Sequence, residues 1–216
     1  MSVEIKICGI TSASDALAAI ESGATMLGLN FYEQSPRCIT VERAQQIASA
    51  VAGHVKLVGV FVNMNVSDVL RIARTVPLDA VQLHGNETRD DCDAVAAEFD
   101  VIRALKVAEA FDPRQASDFA HCSGLLLDTA CNGHGGSGRS FEWSTVDWSA
   151  LRAAAPTSKL FLAGGLHAAN IAPAIHAVHP DVVDVCSGVE QQKGIKSMER
   201  MSEFVAAVRA AERQEQ

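Results

Sequence analysis

The sequence has no run approaching the roughly 18 apolar residues that a membrane-spanning helix needs, so a transmembrane segment is excluded. It has no dense cluster of lysine or arginine, and its formal net charge is −8, which argues against a nucleic-acid surface. A small anionic molecule could still bind locally. None of the six cysteines (Cys8, Cys38, Cys92, Cys122, Cys131, Cys186) sits in a C-x-x-C pair. The first residues also lack the basic-then-apolar pattern of a signal peptide, so the expectation is reduced thiols in the cytoplasm. No linker rich in proline, serine or charge divides the chain. No glycine-rich dinucleotide fingerprint follows the first apolar run, which disfavours an open doubly wound sheet.

What is present is an ordinary globular composition: 216 residues, 48% apolar and 20% charged, enough to bury one core. Eight short apolar runs read as strands: Val3–Cys8, Met26–Phe31, Leu57–Val62, Ala80–His84, Val101–Val107, Leu125–Asp128, Lys159–Ala163 and Val182–Cys186. Stretches with helical spacing alternate with them: Ala13–Ser22, Val41–Ala52, Val66–Thr75, Arg89–Glu98, Pro113–Ala120, Ala168–Ala177 and Ser197–Glu212. Thr40, Asn65 and Thr88 each stand where a helix cap would accept backbone N–H bonds. Near-continuous apolar strands alternating with helices mark a parallel sheet covered on its outer face. Length alone also fits two small domains, but eight such units favour residues 1–216 as a single (β/α)8 TIM barrel in the α/β class.

Barrel enzymes carry their chemistry at the carboxyl ends of the strands, which selects the residues to weigh. The first strand ends in KICGIT, with Cys8 before Gly9. A lone cysteine in an apolar strand is usually a small buried hydrophobe, but at a strand end a nearby cation could make it a thiolate base. The sixth strand ends in LLLDT, with Asp128 following three leucines. Asp128 could merely cap a loop; three of eight positions from the first strand, it could also face Cys8 as an acid partner. After the second strand, Ser35-Pro36 turns the chain and directs Arg37 toward the mouth, either as a solvated surface side chain or as a fork for a carboxylate or phosphate.

Glycines cluster at CNGHGGSG (Cys131 to Gly138), AGGL (Ala163 to Leu166) and CSGVE (Cys186 to Glu190). They could be plain turns, or could let the backbone close on a phosphate. His84, ending VQLHG, is the one histidine well placed for the pocket. No second strand-end histidine or carboxylate pair joins it, so neither a metal nor an organic cofactor is expected.

Taken in order, KICGIT, SPR, VGVFVN, VQLHGNE, LLLD, GGSGRSFEW, FLAGGL and VDVCSGVE resemble the phosphoribosylanthranilate isomerases of tryptophan biosynthesis, from Ile5 to at least Phe204. The resemblance implies a (β/α)8 barrel that performs an Amadori rearrangement of N-(5-phospho-β-D-ribosyl)anthranilate. Carried over by motif, it implies Cys8 as general base and Asp128 as general acid. It places Arg37 near the anthranilate carboxylate and Gly164, Gly165, Ser187 and Gly188 at the phosphate; His84 is expected in the substrate pocket from its strand-end position alone. It further implies a small-molecule enzyme with no nucleic-acid or membrane partner, as monomer or homodimer. Two positions depart from the pattern: Ser137 stands where threonine is usual, and His134 has no assigned role. The histidine-pathway isomerase of the same fold carries an aspartate at the end of strand one, where this chain has Cys8. A barrel that binds a phosphate ligand without turnover would be expected to show decay at its strand ends.

Overall fold

The computed structural model describes residues 2–107, 111–129 and 146–214. The loop residues Cys131, His134 and Ser137 and the glycines among them lie outside the described residues.

Eight parallel strands close into a barrel in chain order: β1 (Glu4–Cys8), β2 (Met26–Asn30), β3 (Lys56–Phe61), β4 (Ala80–Leu83), β5 (Asp100–Val107), β6 (Gly124–Thr129), β7 (Lys159–Leu162) and β8 (Val182–Val185). Closure is made by β1 against β8, with Ile7 opposite Val185. Around the barrel run α1 (Ala13–Ser22), α2 (Val41–Val51), α3 (Val66–Thr75), α4 (Arg89–Ala96), α5 (Trp148–Ala154), α6 (Ile171–Val178) and α7 (Met198–Gln214).

The helix starts follow from local chemistry. The side chains of Ser12, Thr40, Asn65 and Thr88 accept the N–H groups of Asp15, Arg43, Asp68 and Asp91. At Thr88 the Asp91 carboxylate returns a bond to the cap backbone, completing a capping box. Gly23 ends α1 at φ 105°, a left-handed conformation that glycine adopts without steric cost.

Because side chains alternate along a strand, each strand feeds two cores. Ile5, Ile7, Leu27, Leu29, Phe61, Val81, Leu125 and Val183 face outward and pack under the helices. Met26, Val58, Ile102, Leu126, Phe161 and Val182 fill the barrel interior. The same alternation turns Lys6 and Cys8, Gln82 and His84, and Asp184 and Cys186 inward. The interior is thus apolar at the amino ends of the strands and polar at their carboxyl ends.

Three features differ from the periodicity reading. Pro113–Phe119 is a 3-10 helix, since Ser117 bonds the Arg114 carbonyl and competes with the longer-range helical ladder. A two-turn helix, α5, follows Asp147, whose side chain caps Ala150. A small hairpin of β9 (Glu190–Gln192) and β10 (Ile195–Lys196) follows β8.

Candidate active site

Cys8 ends β1 inside the barrel mouth, 9% exposed. Lys6, two residues earlier and fully buried, points the same way and donates to Asp184 at 3.0 Å across the β1–β8 seam. Its ammonium stands on the same side as the Cys8 sulfur and its charge favours the thiolate. Gly28 on β2 makes room for both groups, because a Cβ there would lie 2.7 Å from Cys8 Sγ and 3.1 Å from Lys6 Nζ.

The Cys8 thiol is held well below its ordinary pKa, first by a hydrogen bond from Cys186 and then, against burial, by the charges of Lys6 and Lys196. The Cys186 thiol is pushed up as the donor in that pair and by its own burial. Burial alone would lower Lys6, but Asp184 and the Cys8 thiolate outweigh it and keep the ammonium charged. Burial pushes the Asp184 carboxyl up to about 6 against the pull of Lys6, so the pair is ionised at neutral pH.

Asp128, near the end of β6, accepts from His84 Nε2 at 3.2 Å, and His84 Nδ1 lies 2.7 Å from Gln82 Nε2. With the Gln82 amide donating to Nδ1, the imidazole proton sits on Nε2 and is aimed at Asp128. β6 stands three strands from β1 in the ring, so the carboxyl and the thiol approach the mouth from different sides.

Arg37 is buried rather than solvated, which overturns its reading as a surface side chain. Its Nε and Nη2 grip the Glu190 carboxylate at 2.7 and 2.8 Å. Lys196 from β10 adds a third bond to Glu190 at 3.2 Å and approaches Cys186 Sγ at 3.8 Å. Burial would raise Glu190, but these donors win and hold its carboxyl below the ordinary range. The fork is therefore committed through Nε and Nη2 to an internal carboxylate.

Removing one partner of such a pair strands the other charges. Glu190→Ala should lower stability by about 3–5 kcal/mol. Urea unfolding checks this, and an unchanged midpoint would reject the structural weight given to the pair.

The loops after β7 and β8 meet. Gly188 packs so closely that a Cβ would lie 2.0 Å from the Leu166 carbonyl oxygen. Gly164 and Gly165 take φ of 92° and 64°, and the Gly165 carbonyl accepts from Asn170 at 3.0 Å. Gly164, Gly165, Ser187 and Gly188 thus come to one rim of the mouth. Among the described residues no three His, Cys, Asp or Glu side chains converge as a metal-ligand set.

Several site residues were not singled out from the sequence: Lys6, Gly28, Gln82, Asp184, Cys186, Glu190 and Lys196. For Lys6, Gln82 and Asp184 a signal existed, because each is a polar residue in an apolar strand two places before a strand-end residue. Glu190 and Lys196 carry no such local mark.

A sequence profile described as N-(5'phosphoribosyl)anthranilate (PRA) isomerase matches residues 5–207. An N-(5'-phosphoribosyl)anthranilate isomerase from Acidithiobacillus ferrooxidans is 46% identical, covering 96% of this chain and 98% of that protein. The crystal structure of phosphoribosyl anthranilate isomerase from Thermotoga maritima superposes with a TM-score of 0.86 at 39% identity, covering 96% of this chain and 99% of the other. A phosphoribosyl anthranilate isomerase solved in complex with reduced 1-(o-carboxyphenylamino)-1-deoxyribulose 5-phosphate superposes with a TM-score of 0.85 at 37% identity, with the same coverage. Fold, strand-end residues and full-length similarity agree, and the chain belongs to the N-(5'-phosphoribosyl)anthranilate isomerase family of tryptophan biosynthesis.

Proposed function

We propose that this chain converts N-(5-phospho-β-D-ribosyl)anthranilate into 1-(2-carboxyphenylamino)-1-deoxy-D-ribulose 5-phosphate, with Asp128 as general acid and Cys8 as general base. The observation that carries this reading is the pairing of a thiol beside the Lys6 ammonium on β1 with a carboxyl backed by His84 on β6.

Protonated Asp128 gives its proton to the furanose ring oxygen as the C1–O bond breaks and the nitrogen lone pair forms an iminium. His84 Nε2–H donates to the carboxylate that remains, stabilising the charge as it develops. The Cys8 thiolate then removes the C2 proton, and the electron pair of that C–H bond moves toward the iminium to form an enolamine. Proton uptake at C1, with loss of the C2 hydroxyl proton, relaxes the enolamine to the ketone. The acid must start protonated and the base deprotonated, and the cations beside Cys8 favour its thiolate.

The Nη1 edge of Arg37 binds the anthranilate carboxylate, and the backbone N–H groups around Gly164, Gly165, Ser187 and Gly188 bind the phosphate. The chain acts in the cytoplasm on a small molecule, as monomer or homodimer, without nucleic-acid or membrane partners. No helix among the described residues is long and apolar enough to cross a membrane.

Turnover by the purified chain tests the assignment, with the histidine-pathway substrate as control, and so does rescue of a tryptophan auxotroph lacking this isomerase. Absence of both would sink it. Activity should also survive EDTA, because the proposed steps use only side-chain acids and bases. A loss in EDTA reversed by a divalent ion would overturn the metal-free mechanism.

A further inference from the structure

Beside the proposed base stands a second thiol that the rearrangement does not require. β1 and β8 pair with Ile7 opposite Val185, so the next residue along each strand brings Cys8 beside Cys186. Neighbouring strands lie about 4.8 Å apart, within the roughly 4.4–6.8 Å between Cα atoms that a disulfide bridges. The two thiols are close enough to shift each other's ionisation. Cys186 Sγ also leans over the residue after Cys8, 3.1 Å from where a Cβ on Gly9 would stand.

Each sulfur has a cation beside it: the Lys6 charge favours the Cys8 thiolate, and Lys196 Nζ lies 3.8 Å from Cys186 Sγ. Cys92 and Cys122 form a second pair of thiols that shift each other's ionisation, but they are 0% and 3% exposed behind the barrel wall, whereas Cys186 is partly exposed at the mouth.

The geometry points to Cys8 and Cys186 as an oxidative modification site that closes a reversible disulfide across the barrel mouth when it meets a hydroperoxide. The Cys8 thiolate attacks the terminal peroxide oxygen, an S–O bond forms and the O–O bond breaks. The departing alkoxide or hydroxide takes the Cys186 proton and leaves as alcohol or water. The new Cys186 thiolate, with Lys196 beside it, attacks the Cys8 sulfenic sulfur. The S–S bond forms, the S–O bond breaks, and the leaving hydroxide becomes water with a solvent proton. Two thiols and one hydroperoxide thus give one disulfide, one alcohol (or water) and one water, the cysteines being oxidised and the peroxide reduced. The accompanying loss of turnover rests on Cys8 as the base, whereas formation of the bond does not.

The test treats the purified chain with hydrogen peroxide and maps its peptides without reduction. A linked Cys8–Cys186 peptide is expected, with turnover falling by about 10²-fold or more and returning on treatment with dithiothreitol. In Cys186→Ser the same treatment should stop at a Cys8 sulfenic acid trapped by dimedone and give no linked peptide, with circular dichroism confirming the fold. A linked peptide with turnover intact supports the modification site and overturns Cys8 as base. Loss of turnover with no linked peptide, or a Cys92–Cys122 link in its place, overturns the site and leaves the base standing.

Discussion

Asp128→Asn should lower kcat by roughly 10²- to 10⁴-fold while product affinity changes little, because the amide keeps the shape of the carboxyl but has no acidic proton to give. The effect belongs to the transition state: ring opening needs a proton on the leaving oxygen as the C1–O bond breaks, and among the described residues no other strand-end carboxyl is hydrogen bonded to His84. The environment of the variant can be checked independently. His84 Nε2 lies 3.2 Å from Asp128 Oδ2, and the amide oxygen of the variant could still accept there, so the Gln82–His84 arrangement should persist. A folded variant with near-normal kcat would remove Asp128 from the acid role.

In the proposed mechanism His84 is a positioning residue for the acid, acting through Asp128. Oriented by Gln82, its Nε2 faces the carboxylate formed after transfer. The cost of this design is that the network spans β4 and β6, so its geometry depends on barrel closure rather than on any one loop.

The fold was legible because its determinants are local. Runs such as Leu57–Val62 and Lys159–Ala163 recur at barrel spacing, and Thr40, Asn65 and Thr88 each cap the helix that follows. What failed was also local in origin. Pro113–Phe119 has helical spacing but forms a 3-10 helix under competition from a serine side chain, and α5 spans only seven residues.

The candidate site was legible to the depth of single positions, in that the structure brings the expected residues to one mouth. Cys8, Asp128, His84 and the glycines at 164, 165 and 188 all reach the mouth, as strand-end placement implies. The partners were not legible where they are distant. Arg37 is tied to Glu190, 153 residues away, and nothing near SPR shows that its fork is already half occupied. Lys6 and Asp184 stood in view but required the two-residue alternation to be followed inward from Cys8 and Cys186. The consequence for Arg37 is concrete: its replacement strands Glu190, and with the proposed contact to the substrate carboxylate lost as well, stability and KM should move together.

Cys8→Ser should fold and be nearly inactive, since a hydroxyl is a far weaker proton acceptor than a thiolate and no cation in the site can bring a serine into range. The pH profile carries the sharper test. A base works in its deprotonated form, so kcat/KM should rise with pH through the Cys8 pKa. The hydrogen bond from Cys186 and the charges of Lys6 and Lys196 place that rise well below the roughly 8.5 of a free thiol. Lys6→Met, which removes the nearest cation, should move the rise to higher pH, and a purely structural Lys6 would leave it in place. Iodoacetamide should inactivate with the same pH dependence, slowed by substrate or product. If inactivation tracked Cys38, Cys92, Cys122, Cys131 or Cys186 while Cys8 stayed free, or if Cys8→Ser kept full turnover, the thiol at the end of β1 would be a packing residue and the base would have to be sought elsewhere in the mouth.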